Sequence, residues 1–155
     1  MWFFWFACSE QTICLTNTSY QNGDVVFAER TDEWGLSNIN AVGTRMNAVD
    51  YDGDGWVDLF IRKHSGTDDF SSQSRSSWLL RNLEGTGFED VTESSGIRTS
   101  RSLTTGRPGQ VVAFGDVDND GDLDVYTGYN ADGSNAETSE IMLKAGDGTF
   151  LLGPD

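Results

Sequence analysis

Two nine-residue segments of the chain place aspartates at the same spacing. Residues 50–58 have the sequence DYDGDGWVD and residues 116–124 have DVDNDGDLD, with aspartate at positions one, three, five and nine. Two carboxylates about 4 Å apart repel by roughly 4 kcal/mol at an effective dielectric near 20, so such a loop needs a cation among its oxygens. Calcium fits better than magnesium, because it accepts about six to eight oxygen ligands in flexible geometry. Gly55 and Gly121, at position six, are expected to supply the positive φ of a sharp turn.

An EF-hand begins with the same Asp-x-Asp-x-Asp-Gly pattern, but it needs a glutamate at position twelve and a helix on each side. Position twelve is Ile61 in the first loop and Thr127 in the second, and neither can replace that glutamate. Segments 56–61, 111–114 and 123–127 are rich in β-branched and aromatic residues, which predicts strands. Each loop is therefore expected to join two antiparallel strands, with its ninth-position aspartate inside the outgoing strand.

An ordinary explanation of these segments is also available. Asp-Gly pairs occur in many hairpin turns, and acidic surface loops are common. One copy of the pattern would leave that explanation open. Two copies that agree at five spaced positions favour a metal site in each loop.

Composition and charge limit the classes of protein and of partner. The 155 residues suit one domain, and 37% hydrophobic residues with 18 glycines indicate a folded, turn-rich chain. The formal charge is −15, and nine of the 25 acidic residues lie in the two loops. Two bound calcium ions would bring this charge to about −11. The acidity argues against nucleic acid or an anionic membrane surface as partner.

Residues 1–20 form a distinct N-terminal segment. An aromatic run precedes Cys8 and resembles the end of a secretory leader, or of a lipoprotein leader with Cys8 as the lipidated residue. An N-terminal strand that packs its aromatic side chains is the alternative. Cys8 could instead form a disulfide with Cys14 in an oxidising compartment. No stretch of the sequence reaches the length of a membrane span, so membrane insertion is not expected.

An internal repeat of about sixty residues governs the remainder, residues 21–155. Segment 27–36 aligns with 88–97 at an offset of 61, and segment 79–88 aligns with 141–150 at an offset of 62. Differences in length fall in the connectors 66–77 and 98–109, which are rich in Ser, Thr and Gly. Loops tolerate such insertions better than strands do.

Each repeat is predicted to contain four short strands. One enters the aspartate loop, one leaves it, a third lies near 78–81 or 141–144, and a fourth starts at Phe88 or Phe150. No segment shows helical periodicity. Four strands in each unit with glycine-rich turns indicate an all-β protein of antiparallel sheets stacked face to face, as in a β-propeller.

These motifs resemble the FG-GAP/VCBS repeats of integrin α-subunit propellers and of many bacterial secreted proteins. The Phe-x-x-Val-Thr-x-x-x-Gly segment 88–96 is especially similar to the cartilage acidic protein and ASPIC/UnbV group. The resemblance implies repeats at about 27–88 and 88–150 and one calcium ion in each aspartate hairpin, two in all. It implies side-chain ligands from Asp50, Asp52, Asp54, Asp58, Asp116, Asp118, Asp120 and Asp124, and backbone-carbonyl ligands from Trp56 and Asp122.

Propellers of this family close with about seven blades, whereas this chain contains two aspartate loops. Two blades leave sheet faces and edges uncovered. The chain is therefore expected to be part of a longer protein, or to need partner chains that complete the ring.

The expected function is a calcium-binding extracellular module for adhesion to a protein or carbohydrate ligand, in which calcium is structural. Extracellular sites of this kind usually bind calcium with dissociation constants of about 10⁻⁴ to 10⁻³ M, which suits a secreted, cell-surface or periplasmic protein. The alternative is a portion of a larger secreted hydrolase or lyase. The sequence contains no nucleophile elbow, zinc-ligand spacing or phosphate loop, and its single histidine, His64, follows a strand. No catalytic residue is predicted.

Overall fold

The structure is a computed structural model that describes residues 28–41, 43, 45–62, 77–99, 101, 111–128 and 139–154. The predictions for residues 1–20, which include Cys8 and Cys14, lie outside this set. So do His64 and most of both connectors.

Eight strands form two four-stranded antiparallel sheets. The first sheet, blade 1, pairs its strands in chain order, and the second, blade 2, does the same. Among the described residues the only helix is a 3-10 turn at Leu36–Asn38. The predicted all-β fold with four strands in each repeat is confirmed, and the two sheets are blades of an incomplete propeller. The strands are β1 Arg45–Val49, β2 Asp58–Arg62, β3 Ser77–Asn82, β4 Phe88–Asp90, β5 Val111–Gly115, β6 Asp124–Gly128, β7 Glu140–Lys144 and β8 Phe150–Leu152.

The aspartate loops connect β1 to β2 and β5 to β6. Val49 pairs with Asp58 and Gly115 pairs with Asp124, so the ninth-position aspartates are the first residues of the outgoing strands, as expected. Strand β2 begins two residues later than predicted. Trp56 still belongs to the loop, because its N–H donates to the Asp54 carboxylate at 2.8 Å.

The two blades pack face to face around one apolar core. Side chains alternate between the two faces of a strand, so one residue in two along β2 and β6 points into this core. Phe60 is 3% exposed, and its ring lies 6.2 Å from that of Phe114 in an edge-to-face arrangement. The buried members of the core are Tyr51, Phe60, Leu79, Val91, Ile97, Val125, Met142 and Phe150.

A turn after β4, residues 91–97, fastens blade 2 to blade 1. We call it the docking turn. Its Ser95 carbonyl accepts a hydrogen bond from the N–H of Phe150 at 2.7 Å, and Gly96 has a φ of 70°. Residues 30–36 make the equivalent contact with blade 1, where the Phe88 N–H donates to the Trp34 carbonyl at 3.1 Å. The alignment at an offset of 61 therefore corresponds to a shared structural role.

No helix in the described parts of the chain is long and apolar enough to cross a membrane.

Gly85 allows the β3–β4 turn to lie against the first aspartate loop. It has a φ of 75°, and a Cβ at this position would come within 2.8 Å of Cζ3 of the Trp56 ring. Gly148, in the β7–β8 turn, has a φ of 83° with open space around it.

We predict that Gly85→Ala lowers the free energy of unfolding by about 2 kcal/mol or more, because it adds a clash with Trp56 to the strain of a positive φ. Gly148→Ala is the matched control and should cost about 1 kcal/mol from the backbone alone. Urea unfolding of both variants measures the difference. Equal losses would show that the approach of Trp56 does not constrain residue 85.

Candidate metal centres in the two aspartate loops

Each aspartate loop brings three carboxylates together. Oxygen atoms of Asp50, Asp52 and Asp58 lie within 4.8 Å of one another in the first loop. Asp116, Asp118 and Asp120 form the corresponding set in the second loop. Calcium binds oxygen at about 2.3–2.6 Å, so two ligands of one ion are at most about 5 Å apart. One calcium ion can therefore contact all three members of either set.

Backbone N–H groups hold the carboxylates of the first loop in place. The Asp50 carboxylate accepts hydrogen bonds from the N–H groups of Gly53 at 2.9 Å and Gly55 at 3.0 Å. The Asp52 carboxylate accepts one from the N–H of Asp54 at 3.3 Å. The loop thus curls around its own acidic side chains, and short side chains of this type favour such local turns.

The second loop repeats this arrangement. The Asp116 carboxylate accepts a hydrogen bond from the Gly121 N–H at 3.1 Å, and Asp118 accepts one from the Asp120 N–H at 3.2 Å. Gly121 has a φ of 96°, as Gly55 has 90° in the first loop, which confirms the predicted conformation at position six. The shared spacing of the two segments thus produces a shared backbone path.

The position-nine aspartates tie each loop to the third strand of its blade. Asp58 is fully buried, and its two oxygens accept hydrogen bonds from the N–H groups of Tyr51 at 3.0 Å and Asn82 at 2.7 Å. Asp124 is 1% exposed and makes the same two bonds, with Val117 and Lys144, both at 2.9 Å. A carboxylate oxygen has two lone pairs, so these bonds leave capacity for a metal ligand.

Burial raises the pKa of Asp58 to about 6, against the two hydrogen bonds from Asn82 and Tyr51, which lower it. A cation nearby favours the ionised form of such a carboxyl. The donor set therefore suits a hard divalent cation, which binds oxygen and neutralises crowded carboxylates. The residues present fit calcium in both loops.

Asp54 and Asp124 lie outside the two sets of converging oxygens. Their role as ligands stays a prediction from the resemblance, as do the carbonyl ligands at Trp56 and Asp122. The Asp122 side chain has a different partner, because its carboxylate lies 3.0 Å from the ammonium group of Lys144.

The spacing of the aspartates did not indicate the two residues that anchor the loops from β3 and β7. Asn82 donates its side-chain amide to the Val57 carbonyl at 2.9 Å, besides its backbone bond to Asp58. Lys144, which aligns with Asn82 at an offset of 62, combines the backbone bond to Asp124 with its ion pair to Asp122. The repeat alignment marks these two positions as equivalent, but their contacts with the aspartates depend on the register between strands.

A family model described as the FG-GAP-like repeat matches residues 50–127, which is half of the chain. The chain belongs to the FG-GAP-like repeat family. The matched segment begins with the first aspartate loop, includes the second and ends within β6. Proteins of the FG-GAP-like repeat family are generally non-catalytic. Comparisons with curated proteins and with solved structures gave no match.

We predict that Asp58→Asn destabilises the metal-free protein by about 1–3 kcal/mol. The amide nitrogen would replace one carboxylate oxygen, and one of two backbone N–H groups would lose its acceptor in a buried position. Urea unfolding in excess chelator measures this loss without any contribution from a bound ion.

The control is Asp54→Asn, in the same loop but exposed, which keeps an oxygen for the Trp56 N–H and should change stability little. Similar losses in the two variants would contradict an anchoring role for Asp58.

Proposed function

We propose that this FG-GAP-like chain is a calcium-stabilised extracellular module that presents its surface to a ligand. The observation that carries the proposal is the pair of matched loops, each with three carboxylates whose oxygens converge to within 4.8 Å. Asp50, Asp52 and Asp58 would hold one ion, and Asp116, Asp118 and Asp120 the other. The bound ion supplies positive charge that offsets the repulsion among these carboxylates.

The expected affinity supports an extracellular setting. Extracellular calcium modules bind with dissociation constants of about 10⁻⁴ to 10⁻³ M. Of the six carboxylates in the two sets only Asp58 is buried, so both sites are open to solvent and we expect affinities in this range. Sites of this strength are filled outside the cell, where calcium is abundant, and the acidic chain then carries less uncompensated charge.

We predict that the protein binds two calcium ions and that chelation lowers its melting temperature. At calcium concentrations about 100 times the dissociation constant, each site adds about 2.7 kcal/mol, which corresponds to roughly 5–10 °C for a chain of this size. Isothermal titration calorimetry gives the stoichiometry, and thermal unfolding in calcium and in chelator gives the shift.

Single variants separate the two sites. Asp52→Asn and Asp118→Asn should each remove one ion, whereas Glu84→Gln, an exposed acid outside both loops, should remove none. An unchanged melting curve in chelator, together with no uptake of calcium, would contradict the proposal.

A polar cleft between the blades supports ligand binding. It has a volume of about 400 Å³ and lies beside the first aspartate loop. Its lining combines hydroxyl groups, carboxylates and two cationic side chains, a set that suits a hydroxyl-rich ligand such as a carbohydrate or a polar protein surface. Since Asp52 and Asp122 both line the cleft, ligand binding there should depend on calcium in the loops.

We also propose that the outer face of blade 2 packs against a further FG-GAP-like blade. Within the chain, the corresponding face of blade 1 is covered by blade 2, so Tyr51, Phe60 and Leu79 are at most 5% exposed. Their counterparts in blade 2 are more open: Val117 is 50%, Tyr126 41% and Ile141 42% exposed. The same face is therefore covered by a neighbouring blade in blade 1 and exposed to solvent in blade 2.

We predict that the isolated chain self-associates through this face, a second copy supplying the further blade, because exposed apolar patches of this kind mark interaction sites. Sedimentation velocity in calcium should show a concentration-dependent oligomer that Ile141→Lys abolishes. Leu83→Lys is the control, since Leu83 is 40% exposed but lies in the β3–β4 turn. A monomer at all concentrations, or equal effects of the two variants, would count against this use of the face.

A further inference from the structure

The two aspartate loops share their backbone path but differ in what their second residue contacts. Tyr51 in the first loop is 5% exposed, and its ring lies 6.0 Å from the ring of Phe150 in blade 2. Val117, at the same position of the second loop, is 50% exposed. In the described residues, the second position is therefore part of the contact between blades in the first loop only.

The backbone of Tyr51 lies among the three converging aspartates of the first loop. Asp50 and Asp52 flank it in sequence, and the Asp58 carboxylate accepts its N–H at 3.0 Å. These are the three residues whose oxygens converge in the first loop. A cation that draws these oxygens together therefore also restricts where the Tyr51 ring can lie.

Phe150 is held from the opposite side by the docking turn. It is 1% exposed, and its N–H donates to the Ser95 carbonyl at 2.7 Å. Tyr51 contacts its ring, while Ser95 binds its backbone. The exchange of the Phe150 amide hydrogen with solvent thus reports whether the two blades are closed against each other.

We infer that an ion in the first loop strengthens the contact between the two blades through Tyr51, whereas an ion in the second loop does not affect that contact directly. The inference rests on the proposed binding of calcium. The two sites, although alike in sequence, then have different roles, and the Tyr51 side chain connects the first of them to the neighbouring blade.

Amide hydrogen exchange, followed by NMR with and without calcium, tests the inference. Calcium should slow exchange of the Phe150 amide by about tenfold or more in the wild-type protein and in Asp118→Asn. In Asp52→Asn, which lacks the first site, calcium should change this rate less than about twofold. The Ala145 amide, which donates to the Thr149 carbonyl at 2.7 Å within blade 2, is the reference for stability of that blade alone.

Variants of Tyr51 separate the side chain from the ion. Tyr51→Val introduces the residue type of the second loop, so it should still bind two ions but lose the effect of calcium at Phe150. Tyr51→Phe keeps the ring and should retain the effect. Calorimetric stoichiometry on each variant shows whether both loops are still formed.

The outcomes distinguish this inference from the proposed function. If the wild-type protein takes up no calcium, the proposed function fails and the inference fails with it. If the wild-type protein binds two ions but calcium slows exchange of the Phe150 amide equally in Asp52→Asn and Asp118→Asn, only the inference is overturned. Full protection of Phe150 in Tyr51→Val would also overturn it, because the ring would then not carry the coupling.

Discussion

The mutual repulsion of carboxylates in two short hairpins is the constraint on which the structure depends. Each loop directs three of its acidic side chains towards one point, and backbone N–H groups keep them there. Hydrogen bonds from N–H groups stabilise the negative charge on these oxygens but do not neutralise it. A hard divalent cation does neutralise it. The crowding of carboxylates that destabilises the metal-free loops is therefore also what makes them suitable for calcium.

The position-nine aspartate extends this constraint from the loop to the sheet. Asp58 and Asp124 are buried, and each connects the second residue of its loop to the last residue of the third strand. The loop is thereby fixed to two strand ends at once. Each blade then packs on its neighbour through apolar side chains and the docking turn. The aspartate loop is thus connected to the strands of its blade, and the blade to its neighbour.

Much of this arrangement was predictable from the sequence. The spacing of aspartates and glycines defined the loops, and β-branched and aromatic residues defined the strands beside them. The repeat at an offset of 61 also pairs the docking turn with residues 30–36, and Gly35 and Gly96 share a positive φ. These features depend on residues that are near in sequence or repeated at a fixed interval, which is what a sequence pattern records.

Contacts across longer separations were not predictable in the same way. The bond from Asn82 to Asp58 spans 24 residues, and it depends on the register between β2 and β3. The packing of Tyr51 on Phe150 depends on how two sheets stack, which no periodicity encodes. The ion pair of Lys144 with Asp122 likewise required the strand register before it could be recognised.

The most direct test of the account is a crystal structure of the protein grown in calcium, with anomalous diffraction used to locate the ions. The account predicts two anomalous peaks, one about 2.3–2.6 Å from oxygens of Asp50, Asp52 and Asp58 and one at the same distance from Asp116, Asp118 and Asp120. Loops that keep this conformation with no anomalous peak between their carboxylates, at calcium concentrations well above 10⁻³ M, would contradict it.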